Sequence, residues 1–309
     1  MTVTDYDVII IGSGPGGMTA ALYASRANLK TLILEKGVPG GELLNTAEVE
    51  NYPGFASIDG PDLAEKMYEG AMQFGAEHQF GEVKTVIDHG DYKEVKTRKK
   101  DFTTKVVIIA TGSVHRKLGI PGEEEYAGRG VSYCAVCDGA FFKGQPIVVI
   151  GGGDSAVEEG TYLTQFGESV KIVHRRDELR AQKILQDRAF RNEKIDFVWD
   201  TIPLEVLGDG QKVTGIRLKH KKTGEESVVD TAAVFIYVGL LPVTEPFKEL
   251  GITDDEGWII TDDTMATKIP GIFAVGDVRQ KTLRQIATAV GDGGQAGQEA
   301  YNYIEALAD

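Results

Sequence analysis

Cys134 and Cys137 are the only cysteines in a chain of 309 residues, and Asp138 directly follows the second. Four uses of such a pair compete. A zinc site would need two further ligands, and His78, His89, His115, His174 and His220 form no close pair to supply them, so no metal is expected. A structural disulfide across two intervening residues would constrain the unfolded chain little and would be reduced in cytosol. Inert buried thiols would need no such spacing. A redox-active dithiol does need it: one thiolate attacks an external disulfide, the neighbour resolves the mixed disulfide, and the short loop keeps the oxidised form reducible. Asp138 is then a candidate proton donor and acceptor, because each exchange cycle must protonate a thiolate. Taken alone, it also reads as an exposed turn residue before Gly139.

Two Gly-rich segments carry the remaining chemistry. In the first, Gly12, Gly14 and Gly17 fall at G-x-G-x-x-G spacing in GSGPGG, between the apolar run DVIII (7–11) and the helix-forming MTAALYASRAN. The strand TLILE follows and ends on Glu35. In such a unit the first glycine permits a tight turn, the second lets a pyrophosphate approach the backbone, and the third lets helix pack on strand. Glu35 is placed to accept hydrogen bonds from a ribose hydroxyl.

The second segment repeats this plan with PIVVI (146–150), GGGDSA carrying Gly151, Gly153 and Ala156, a helix through about Phe166, and SVKIV. Its second strand ends on His174, Arg175 and Arg176, with Arg180 a turn further on. A carboxylate selects a free 2′-hydroxyl, whereas guanidinium groups pair bidentately with a 2′-phosphate, so the second site is expected to prefer NADPH to NADH. The competing reading is a set of solvated charges at the start of a helix.

These elements imply a frame to hold them. Each Gly-rich unit is followed by alternating, charged, strand-like sequence, roughly 80–105 and 197–230, and closes on an apolar strand and a glycine in VVIIATGS and AVFIYVGLLP. The chain therefore reads as α/β, with two Rossmann-like dinucleotide-binding domains of the same architecture. The tail contains GIFAVGD and a helical segment from Thr282 to about Leu307 with a glycine interruption at 291–294. It is too short to be a domain and is placed back on the first, which makes the second an insertion. The expected boundaries are 1–117 with 246–309 for the first domain and 118–245 for the second, which carries the dithiol.

Composition fits this frame. The chain is 42% hydrophobic and 26% charged, with no apolar run of membrane-spanning length. Lys and Arg number 33 against 47 acidic residues, a net charge of -14, which argues against nucleic acid or an anionic membrane as partner. The N-terminal MTVTDYDVIIIGSG lacks a basic flank and a long apolar core, so a cytoplasmic location is expected.

The stretch CAVCDGAFFKGQPIVVIGGGD (134–154) resembles the dithiol signature of bacterial-type, low-molecular-weight thioredoxin reductases. GSGPGG, PGGELLNTAEVENYPGF (39–55), ATGS, HRRDELRA (174–181), GIFAVGD and LRQIATAVGDG (283–293) match the same family in order, so the resemblance runs nearly end to end. It implies FAD in the first domain, held by Gly12, Ser13, Gly14, Pro15, Gly17, Glu35 and Lys36, by the loop containing Gly40, Gly41, Glu42 and Asn45, and by Asn51. It extends that site to Ala110, Thr111 and Gly112, to Gly276 and Asp277, and to Arg284, Gln285 and Ile286 near the flavin ring. It places NADPH on Gly151, Gly152, Gly153, Asp154, Ser155, His174, Arg175, Arg176 and Arg180. The implied cycle passes electrons from NADPH to FAD, to the Cys134/Cys137 disulfide and to thioredoxin, with the inserted domain rotating about the crossings near 117 and 245 between half-reactions. The family also suggests a homodimer.

Three positions depart from the expected pattern: Glu42 stands where glutamine is common, Gly160 where alanine packs, and Ile286 where alanine follows Arg-Gln. The rival functions are a flavoprotein reductase of another thiol protein (a peroxiredoxin or glutaredoxin-like protein), a ferredoxin or flavodoxin reductase, and a nucleotide-binding redox sensor without turnover.

Overall fold

The computed structural model describes residues 3–46 and 48–307; Ala47, within the 39–55 segment, lies outside them. The chain divides into two compact units, Met1–Val114 with Leu241–Asp309, and His115–Leu240. The crossings thus fall a few residues N-terminal to 117 and 245. Their strands, Ser113–His115 and Leu240–Pro242, pair as a two-stranded sheet. The helices are α1 (Pro15–Arg26), α2 (Gly60–Met72), α3 (Ala135–Asp138), α4 (Asp154–Leu163), α5 (Lys183–Phe190) and α6 (Ile286–Ala306).

The first unit is built on β1 (Tyr6–Ile11) and β2 (Thr31–Glu35), which are parallel with Val8 opposite Thr31. Val8, Ile9 and Ile10 have no exposed surface, as expected of a strand covered on both faces. The order continues from Glu77–Phe80 through β2 and β1 to Asp101–Ile109, then Lys93–Thr97 and Val83–Asp88. Strand Asp101–Ile109 is shared: its first half pairs antiparallel with Lys93–Thr97, while its last three residues pair in parallel with Ile272–Ala274. The tail is thereby stitched into the sheet beside the first Gly-rich turn.

Helix α6 corrects the expectation for the tail. It begins at Ile286, not Thr282, and runs unbroken through Gly291–Gly294. Gly293 in that stretch, and Gly297 beyond it, serve close packing. A Cβ on Gly293 would collide with the Gly16 carbonyl and with Thr19, and one on Gly297 with Tyr23 and the Ala20 carbonyl, both on α1. Close helix contact offsets the roughly 1 kcal/mol that each glycine costs in a helix interior.

The second unit holds five parallel strands in the order Val131–Ser132, Ala233–Tyr237, Pro146–Gly151, Ser169–Val173, Ile195–Val198. Beside them Thr201–Gly208, Val213–His220 and Glu226–Asp230 form an antiparallel sheet. The helix after the second Gly-rich turn ends at Leu163, short of Phe166. Among the described residues no helix is long and apolar enough to cross a membrane.

Candidate active site

The two cysteines are joined as a disulfide with Cα atoms 5.4 Å apart. Cys134 is the N-cap of α3, and the Cys137 N–H donates to its Sγ at 3.1 Å. That donor favours a thiolate on Cys134 once the bond is reduced. Cys137 is exposed and Cys134 half-buried. The short helix is pinned from below: the Ala135 N–H donates to the Tyr237 hydroxyl at 3.1 Å, and the Cys134 N–H to Ser132 Oγ at 3.0 Å. Burial, reinforced by Glu159, holds the Tyr237 phenol protonated far above neutral pH. Half-buried Asp138 lines a cavity of about 430 Å³ that also contains Arg129, Lys212, Phe141 and Phe142. Asp138 thus lines that cavity and directly follows the exposed Cys137 in sequence.

At the second Gly-rich turn, Gly151 has φ +157°, and a Cβ there would meet Ala156 Cβ and the Tyr237 carbonyl, so glycine is needed for the fold itself. Gly153 differs: its φ is -94° and nothing lies within 4 Å of a Cβ position. The protein's own packing does not require glycine there, whereas close approach of a ligand's phosphate to the N-terminus of α4 does. Asp154 accepts the Gln182 N–H at 2.7 Å and its side-chain amide at 2.8 Å, and Ser155 is exposed on the first turn of α4. The Arg180 N–H donates to the Gly152 carbonyl at 2.7 Å, which brings the arginine segment back onto the turn.

Arg175, Arg176 and Arg180 are exposed. Two acids nearby are already engaged, since Lys222 pairs with Asp177 at 3.2 Å and Asp200 at 2.7 Å. Three guanidiniums are thus left available to an anion. His174 does not join them. It is 4% exposed, lies against Gly152 where a Cβ would strike its ring, and has a buried Nε2 without a partner. Burial, with Arg180 second, pushes its pKa down, and the ring packs against the turn. The arginines thus differ from His174, which is buried against the turn while they are exposed.

The first turn shows the same division of labour. Gly12 has φ +105° and a Cβ would hit the Ala110 carbonyl, while one on Gly17 would hit the Gly12 carbonyl. Gly14, the N-cap of α1 with φ -73°, again has nothing within 4 Å, and Pro15 opens the helix behind it. Glu35 Oε2 accepts the Ser13 N–H at 2.9 Å and the Ser13 hydroxyl at 3.0 Å, and Oε1 accepts the Gly37 N–H at 2.8 Å. A carboxylate offers about four acceptor sites, so one remains for a ligand hydroxyl. Lys36 is exposed beside it.

The other expected segments converge on this turn. Gly40, at φ +135°, donates its N–H to the Ser13 carbonyl at 2.9 Å, and a Cβ on Gly41 would lie 3.2 Å from Gly14 Cα. Glu42 and Asn45 share that loop, with Asn45 Nδ2 donating to Glu42 at 3.3 Å. Ala110 donates to the Ile11 carbonyl at 2.8 Å, and the Thr111 hydroxyl and Gly112 carbonyl bond Val243 at 2.7 and 3.0 Å. Asn51 donates to Gln285 Oε1 at 3.0 Å across 234 residues of sequence, and Gln285 with Thr288 forms a capping box at the start of α6, just ahead of Ile286. The Arg284 guanidinium stacks 3.7 Å over the Trp258 ring. Asp277 has a buried Oδ1 with no partner, and burial raises its pKa against the pull of Lys281 and Arg284. An orphaned acceptor, an open N-cap glycine and a spare Glu35 site fit a bound dinucleotide.

Sequence reading missed Tyr237, which seats the dithiol helix, and Glu159, whose buried Oε2 lacks a partner and whose pKa burial pushes up to about 8. It also missed the ionic cluster of Arg279, Lys281 and Asp292 beneath the Gly276–Asp277 turn. The VEEG segment after the second Gly-rich turn held the one available signal, an acid where the inner face of a helix was expected.

Residues 6–293 match the family described as Pyridine nucleotide-disulphide oxidoreductase. Among curated relatives, thioredoxin reductase of Listeria monocytogenes is 63% identical over 98% of this chain and 95% of its own length. That of Bacillus subtilis is 59% identical over 98% and 96%. Among solved structures, Lactococcus lactis thioredoxin reductase superposes with a TM-score of 0.97 at 62% identity, covering 98% of this chain and 100% of that one. The T. acidophilum enzyme gives 0.93 at 37% identity, covering 98% and 99%.

Proposed function

Since the chain belongs to the pyridine nucleotide-disulphide oxidoreductase family, we propose that it is an NADPH-dependent reductase of the thioredoxin disulfide. The observation that carries this reading is the placement of the Cys134–Cys137 disulfide in the same unit as a Gly-rich turn flanked by three exposed guanidiniums. FAD is assigned to the first unit and NADPH to the second; bound there, they supply two-electron transfer from NADPH to the disulfide, with rotation of the second unit about the two crossings between half-reactions.

The chain's own residues then act in order. Gly14 and Gly153 admit the two pyrophosphates to the N-termini of α1 and α4, and the three arginines distinguish a 2′-phosphate from a hydroxyl. Reduction of the disulfide takes up two electrons and leaves a thiolate on Cys134, stabilised by the Cys137 N–H, and a thiol on Cys137. Asp138 takes the Cys137 proton, and the exposed Cys137 sulfur attacks the thioredoxin disulfide, releasing one thioredoxin thiolate. Cys134 thiolate resolves the mixed disulfide, regenerating the Cys134–Cys137 bond. The second thioredoxin sulfur leaves as a thiolate, and protons return through Asp138 and its cavity. A homodimer working in a reducing cytoplasm completes the proposal.

The test is steady NADPH oxidation dependent on added thioredoxin, with a peroxiredoxin, a glutaredoxin and a flavodoxin as alternative acceptors. Turnover with thioredoxin that Cys137→Ser abolishes supports the reading. Retained electron transfer in that variant supports a flavodoxin-type reductase, and oxidation of a single equivalent of NADPH supports a sensor.

A further inference from the structure

Beneath the Gly276–Asp277 turn, one carboxylate holds two cations: Asp292 Oδ1 accepts from Arg279 at 2.9 Å and Oδ2 from Lys281 at 2.7 Å. All three side chains are 10–12% exposed. Asp292 Oδ2 also accepts the Gly276 N–H at 3.0 Å, and Arg279 Nε donates to Thr261 at 2.9 Å. Gly276 needs its φ of +73° for the turn, and a Cβ on Gly16 would lie 3.6 Å from the Gly276 nitrogen. The cluster therefore stands where the first Gly-rich turn, the Asp277 turn and α6 meet.

Within the cluster two cations share one carboxylate. Two cations on one carboxylate leave a net positive charge taken out of water, which is costly unless an anion lies nearby. The adjacent candidates are the Asp277 carboxyl, with its orphaned buried oxygen, and whatever that turn binds. Arg284 adds a further cation on the same side, reaching the Asp277 carbonyl at 3.4 Å, and Glu42 is the remaining acid that Asp277 senses.

We propose that Asp292, clamped by Arg279 and Lys281, is a positioning residue for the flavin: it fixes the Gly276–Asp277 turn, and the positive charge of Lys281 held there favours the electron-rich, reduced form of the bound FAD. The inference rests on the FAD assignment of the first unit. Lys281 is the separable part, because its removal leaves the Arg279–Asp292 pair and the Gly276 bond in place.

The experiment measures FAD retention through a desalting column and the flavin midpoint potential for wild type, Lys281→Met, Lys281→Arg and Asp292→Asn. Lys281→Met is expected to keep FAD while its preference for the reduced flavin falls about tenfold, the size of a one-charge effect across about 12 Å at an effective dielectric of about 20. For a two-electron couple that is about 30 mV lower. Lys281→Arg restores the wild-type potential, and Asp292→Asn, which strands two buried cations, sheds FAD. An unchanged potential in Lys281→Met overturns the inference, as does a Lys281→Arg potential as low as that of the methionine variant. If Asp292→Asn does not fold, the Lys281 pair alone decides. A wild-type protein without flavin absorbance overturns the FAD assignment itself.

Discussion

Replacing Arg175 and Arg176 together with alanine separates recognition of the 2′-phosphate from every other part of the nucleotide site. Asp177 and Asp200, two carboxylates that could compete for these guanidiniums, are held by Lys222 at 3.2 and 2.7 Å. Both arginines are exposed, which keeps the change in folding stability within about 0.5 kcal/mol. A charge-assisted hydrogen bond contributes about 1.5–3 kcal/mol where water is excluded. At this exposed site about 1 kcal/mol per guanidinium is the appropriate figure, or about 2 kcal/mol for the pair. Since about 1.4 kcal/mol is tenfold, kcat/KM for NADPH should fall about thirtyfold, while that for NADH stays within about twofold. Steady-state rates with each cofactor at low ionic strength provide the assay, and raising the salt should shrink the NADPH preference of the wild type. Equal losses with NADPH and NADH would refute the reasoning, because the arginines would then be acting on a part the two cofactors share.

Gly14→Ala, at a position with φ -73° and open space, should change folding stability by less than about 0.5 kcal/mol yet abolish flavin retention, whereas Gly12→Ala should cost several times more stability. Chemical denaturation and flavin absorbance of the two variants distinguish a ligand-imposed glycine from a fold-imposed one. Cys134→Ser, which keeps the exposed sulfur and removes the resolving one, should trap a mixed disulfide with thioredoxin on a non-reducing gel; Cys137→Ser should not. Burial raises the Glu159 pKa to about 8, so between the ordinary carboxyl range and pH 8 the folded state holds a proton that the unfolded state has lost. Its contribution is therefore full below pH ~4 and declines as pH rises towards 8. Melting temperatures of wild type and Glu159→Gln should diverge over that window in favour of the variant, by up to about 5 kcal/mol on conversion, and parallel curves would count against it.

What the sequence could tell was set by how local each constraint is. Gly12 and Gly151 are legible because a left-handed or crowded backbone within a strand-turn-helix unit admits only glycine. The arginines are legible because they follow directly on the strand that presents them, and the cysteines because their spacing is the chemistry. Long-range partners leave no such trace. Tyr237 meets Ala135 across 102 residues, and Asn51 meets Gln285 across 234. His174 looks like a fourth basic group by position, and only the fold shows that it is buried against Gly152 while the arginines are exposed. The glycines of α6 read as a break because the sequence does not contain the partner, α1, that makes them a contact surface. Asp292 similarly becomes meaningful once Arg279 and Lys281 are seen to close on it from the preceding turn.

The central claim is an electron path with two acceptors in one chain, and an anaerobic titration with NADPH, followed by flavin absorbance, tests it most directly. The wild type should consume about two NADPH per chain, one each for the flavin and the Cys134–Cys137 disulfide, and Cys134→Ser should consume about one. A wild-type protein that stops at a single equivalent, or that gives the same titration as Cys134→Ser, would contradict the account.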